Sequence, residues 1–100
     1  MAVLFHRLAT REFVEARRRY ARIDPQIEAR FVAAVRAAVQ RIDATPQLGS
    51  LIRGPYRWVR AKRYPYLLVY EVIGPGVAHV YAVAHVRRRP GYWIRRINQP

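Results

Sequence analysis

The chain has 100 residues, 52% of them apolar, no cysteine, and a formal net charge of +13 from 19 Lys+Arg against 6 Asp+Glu. That length supports one hydrophobic core, so a single domain over residues 1–100 is expected, and the apolar content is too high for a disordered basic tail. The absence of cysteine excludes a disulfide framework, a thiolate metal site and a cysteine nucleophile.

The opening segment, residues 2–8, is apolar and reads as a strand. It is too short for a signal-peptide core because His6 and Arg7 interrupt it, and no later apolar run is long enough to cross a membrane, so a soluble, cytoplasmic domain is expected. Thr10 offers a hydroxyl for a helix N-cap, with Glu12 in the first turn. Phe13, Ala16 and Tyr20 follow at helical spacing as far as about Arg22. Asp24-Pro25 starts a second helix, since Asp caps and Pro suits the first helical position. Ile27, Phe31, Ala34, Val35, Ala38 and Ile42 trace its apolar stripe, and the segment from Asp43 to Gly49 ends it.

The period changes after residue 50. Residues 56–62 and 66–73 read as strands, Gly74-Pro75-Gly76 as a turn, and residues 77–85 as the partner strand. Residues 87–96 leave the sheet as a short helical arm. The order β-α-α-β-β-β describes an α+β fold, a helical hairpin packed on a four-stranded antiparallel sheet.

Charge follows this division. Residues 1–50 hold nine arginines against five acids, a net of +4, whereas residues 51–100 hold ten basic residues against Glu71, a net of +9. Such a field draws RNA, DNA or an acidic protein. Eighteen of the 19 basic residues are arginine, which a GC-rich genome also produces on a solvated face.

Strand parity sets Trp58, Arg60 and Lys62 in one row, a mixture of ring and cation suited to a nucleotide backbone and its bases. The same row also fits a core tryptophan with cations at an edge. His85 is the best candidate for proton transfer. It ends a strand beside Arg87, Arg88 and Arg89, whose guanidiniums would steady a developing phosphate charge. A hydrogen-bonded structural histidine is the alternative. Neither metal-ligand spacing nor a phosphate-binding glycine loop is present, and no cofactor is implied.

Three stretches carry a resemblance to a known family. They are Phe31-Val-Ala-Ala-Val35 with Ile42, Pro46 and Gly49; Arg63-Tyr-Pro-Tyr-Leu-Leu-Val-Tyr70; and Ala82-Val-Ala-His-Val-Arg-Arg-Arg-Pro-Gly-Tyr-Trp93. Together they resemble the RelE/ParE superfamily of toxins from bacterial type II toxin–antitoxin systems, including its plasmid stabilisation members. The resemblance implies the same β-α-α-β-β-β fold and a cognate antitoxin, acidic and encoded by an adjacent gene.

It also implies one of two activities. RelE-like members cut mRNA on the ribosome by 2′-hydroxyl attack on the adjacent phosphate, and this reading ranks first. It makes His85, Tyr92, Arg60 and Arg88 catalytic. Trp58, Lys62, Arg63, Arg87, Arg89 and Trp93 then bind RNA or another target. ParE-like members instead inhibit DNA gyrase by protein binding, and Leu67, where the family usually has arginine, fits that second reading.

Overall fold

A computed structural model describes residues 2–99; Met1 and Pro100 lie outside the described residues. The chain runs β1 (Ala2–Phe5), α1 (Arg7–Ile23), α2 (Pro25–Ala44), a 3-10 turn (Pro46–Leu48), β2 (Ser50–Arg53), β3 (Tyr56–Arg60), β4 (Tyr66–Gly74), β5 (Val77–His85) and a 3-10 arm (Tyr92–Arg96). The α+β class and the helical hairpin agree with the sequence. The sheet has one more strand than expected, in the order β1-β5-β4-β3-β2. It is mixed: β1 pairs with β5 in parallel, from Ala2 opposite Val77 to Phe5 opposite Val80, and the other pairs are antiparallel.

The first helix begins at His6, not Thr10. The His6 Nδ1 accepts from the Leu8 backbone N–H at 3.1 Å, a capping bond that an imidazole lone pair supplies as a hydroxyl would. Asp24 serves both helices. Its N–H donates to the Tyr20 carbonyl to close α1, and its carboxylate accepts from Gln26 N–H at 2.7 Å to open α2. The α2 stripe buries Phe31, Val35, Ala38 and Ile42 against the sheet. Phe31 is fully buried, worth about 1.5–3 kcal/mol, and meets the rings of Phe13, Tyr20, Tyr64 and Tyr66 at 5.0–5.8 Å.

The added strand β2 depends on a clamp behind it. Tyr70 donates to the Pro46 carbonyl at 2.7 Å and accepts from Gly49 N–H at 3.0 Å. Arg57 grips the Gly49 carbonyl at 2.8 Å and the Gln47 carbonyl at 3.1 Å. Any Cβ at Gly49 would lie 2.6 Å from the Tyr70 hydroxyl, so the glycine permits a close approach.

A β-bulge in β5 sets the faces. Val69 pairs with Ala82 and Tyr70 with Val80, leaving Tyr81 as the extra residue. His79 and Tyr81 therefore lie on the face away from the helices, while Val83 and His85 turn toward them. Strict alternation would put all four on one side, and the bulge breaks that parity.

Candidate functional site

The bulge brings His85 to a groove of about 410 Å³ between α1 and the C-terminal arm. Glu12, Glu15 and Arg19 of α1 form one wall. Tyr66 of β4, Val83 and His85 of β5, and Arg88 and Tyr92 of the arm form the other.

Glu12 organises one end. Its Oε1 accepts from the Val83 N–H at 3.1 Å, next to the bulge. Its Oε2 accepts from the Tyr92 hydroxyl at 2.6 Å, and Arg96 forks across both oxygens at 2.8 and 3.0 Å. Arg96 also reaches the Tyr81 carbonyl at 3.0 Å, so a single ion pair ties arm, helix and strand together. Burial, reinforced by the bond to the Glu12 carboxylate, pushes the Tyr92 phenol above its ordinary range. Tyr92 thus stays protonated, a donor already committed to Glu12.

His85 Nδ1 accepts from Arg87 N–H at 3.0 Å, which leaves Nε2 as the donor of the neutral ring. Its ring meets Tyr66 edge-on at 5.2 Å. The Arg88 guanidinium stacks 3.9 Å over Tyr92, a cation–π contact that holds it beside the groove. The Tyr66 hydroxyl accepts from Arg19. Thus His85, Arg88 and Tyr92 come together.

Arg60 does not join them. It pairs with Leu67 on the opposite face, and its Nε donates to the Tyr64 carbonyl at 2.9 Å. Lys62 and Arg63 are exposed in the turn after β3, where Arg63 takes the left-handed region at φ 73°. Arg87 and Arg89 are exposed beyond β5. Trp93 is only 4% exposed and packs with Val69, Tyr81, Ala82 and Ala84, with half-buried Trp58 against the same cluster. The outer sheet face is therefore covered by the arm, and Trp93 is core where a residue that binds RNA or another target was expected. A smaller cleft of about 220 Å³ lies beside Trp58, Leu67 and Arg89, and His85, Arg88 and Tyr92 line it as well.

Sequence reasoning had not singled out Arg19, Tyr66 or Arg96, and it had used Glu12 only as a first-turn acid. Their roles arise from long-range contacts that no local spacing encodes. Among the described residues, no cluster of three His, Asp or Glu side chains is placed to hold a metal ion.

The sequence model of the ParE toxin of type II toxin–antitoxin systems, parDE, matches residues 3–90. The chain belongs to the ParE toxin family. No curated protein matches it. The match covers both α-helices and every strand, β1 from its second residue, and stops just before the 3-10 arm. A ParE-family toxin acts within a type II toxin–antitoxin system and so has a cognate antitoxin. No helix among the described residues is long and apolar enough to cross a membrane.

Proposed function

We propose that this ParE-family toxin arrests growth by binding DNA gyrase in the cytoplasm, as ParE-like members do, rather than by cutting mRNA on the ribosome. The separation of the nuclease candidates carries this reading. Cleavage by 2′-hydroxyl attack needs a base, an acid and cations around one phosphate. Arg60 lies on the far face of the sheet and is bound to the Tyr64 carbonyl. The Tyr92 phenol is held protonated against Glu12. Of the four residues expected to be catalytic, only His85 and Arg88 stand together uncommitted, and none of the other three is a free proton-transfer partner for His85. A binding module needs no such convergence, and a dense arginine surface suits docking. The antitoxin, acidic and encoded next door, then covers the basic arm and sheet rim.

Two purified assays test this. Gyrase supercoiling should be inhibited, with linear DNA accumulating in the presence of the toxin, while ribosomes programmed with mRNA should show no new codon-phased 5′ ends. Arg60→Ala and Tyr92→Phe variants should still arrest growth and be rescued by the adjacent antitoxin. Codon-phased cleavage abolished by either substitution, with normal supercoiling, reverses the proposal in favour of mRNA cleavage.

A further inference from the structure

Apart from Glu15 at its exposed rim, the groove between α1 and the arm presents donors. Glu12 is saturated by Val83, Tyr92 and Arg96, so its charge is neutralised within the fold. What faces the groove beyond it is a pair of guanidiniums, Arg19 and Arg88, and the imidazole of His85. Tyr66 completes the set. It is 4% exposed, its hydroxyl accepts from Arg19, and its own proton meets no acceptor among the described residues. Tyr66 lines the groove, and a phenolic O–H that accepts one hydrogen bond can still donate another to a ligand oxygen.

We propose that this groove binds the terminal phosphate of a nucleoside monophosphate. Two guanidiniums, an imidazole N–H and a phenolic O–H suit a phosphate, and the paired guanidinium charges match the charge of about −1.5 to −2 on a terminal phosphate better than the single charge of a phosphodiester. Both guanidiniums are already oriented, Arg19 on the Tyr66 hydroxyl and Arg88 3.9 Å over the Tyr92 ring, which limits the ordering cost of binding. A cavity of about 410 Å³ is of small-molecule size, larger than a bare phosphate requires. Tyr20 and Ile23 supply an apolar flank for a base. Glu15, at the exposed rim, makes no hydrogen bond or ion pair with another described residue and supplies an acceptor for ribose hydroxyls or a base amine. The site is independent of which macromolecule the toxin attacks.

Calorimetric titration of the full chain with AMP, adenosine, inorganic phosphate and the 5′-hydroxyl dinucleotide ApA tests the assignment. AMP should bind one to one and more tightly than the other three. Tyr66→Phe and Arg19→Gln should each weaken AMP by about tenfold or more, with circular dichroism unchanged. Arg30→Gln, exposed on α2 outside the groove, should not weaken it. Adenosine or phosphate binding as well as AMP, or Arg30→Gln weakening it as much as Arg19→Gln, overturns the proposal. ApA binding as tightly as AMP assigns the groove to phosphates within a chain and overturns the terminal-phosphate claim.

Discussion

Glu12 shows what one side chain does when the fold surrounds it with donors. Four hydrogen bonds converge on a carboxylate whose side chain is 13% exposed, paired with an Arg96 side chain that is 11% exposed. Breaking such a pair by removing one member leaves a buried charge, and the cost is about 3–5 kcal/mol. Against a total of about 5–15 kcal/mol for a domain of this kind, that is a large share. Glu12→Ala should therefore lower the urea midpoint steeply and detach the arm, seen as increased solvent exposure of Trp93 fluorescence. A Glu12→Met, Arg96→Met double variant should recover part of the loss, because no uncompensated charge remains. Equal losses in the single and double variants would show that the ion pair is not what anchors the arm. The sequence placed Glu12 in a first helical turn but held no sign of its partners, which lie 71 to 84 positions away. His85 was legible, because a strand-end histidine before three arginines is a local pattern. The face it occupies was not, since a single bulged residue decides it.

At the scale of elements, capping explains both the agreement and the differences. Asp24-Pro25 is a strong local signal and marks the α1–α2 junction as read. The start of α1 was misplaced because Thr10 is the more familiar cap, while His6 caps through a ring nitrogen and is 3% exposed. The strand β2 escaped notice for another reason. Its four residues are all exposed and carry no alternation, and it is held by the Arg57 and Tyr70 clamp. The His6 cap has a consequence in acid. Its Nε2–H reaches the Gln99 carbonyl at 3.2 Å, so the neutral ring bridges the helix start and the chain end. Burial, together with nearby Arg96, Arg7 and His79, lowers its pKa below the ordinary 6.5, although the Gln99 bond opposes this. A depressed histidine contributes stability above pH 6.5, and that contribution is lost as pH falls through the folded-state value. Protonation also removes the capping lone pair and sets a cation at the positive end of the helix dipole. Chemical denaturation from pH 7.5 to 5 should show the wild type weakening below 6.5. A His6→Asn variant, which keeps a cap acceptor, should show a flatter profile. Parallel profiles would remove His6 from the acid response.

For the whole molecule, the charge of +13 is arranged differently from its division along the sequence. Splitting the chain at residue 50 put most of the excess on strands and arm. In space, Arg96 is neutralised by Glu12, whereas Arg11, Arg18 and Arg22 are all exposed on α1 at spacings of 7 and 4 residues. Those intervals return to one side of a helix, so the hairpin presents a basic ridge of its own. With Arg87 and Arg89 exposed beyond β5, positive potential extends to both the helical side and the arm. An antitoxin of the acidic kind proposed above would be captured by such a field through long-range attraction before it packs, and exposed charges act chiefly on the encounter. Screening shortens that reach to about 10 Å at 0.1 M salt and about 3 Å at 1 M. Raising sodium chloride from 0.05 to 0.5 M should slow antitoxin association by about tenfold or more, with a much smaller change in dissociation. Reversing two of the α1 arginines, as Arg11→Glu with Arg18→Glu, should remove part of that salt dependence while leaving the fold intact, because both residues are exposed. Stopped-flow mixing of toxin and antitoxin reads both effects directly. Association that is indifferent to salt would mean that the partner is recruited by apolar contact, and that the arginine ridge serves another ligand.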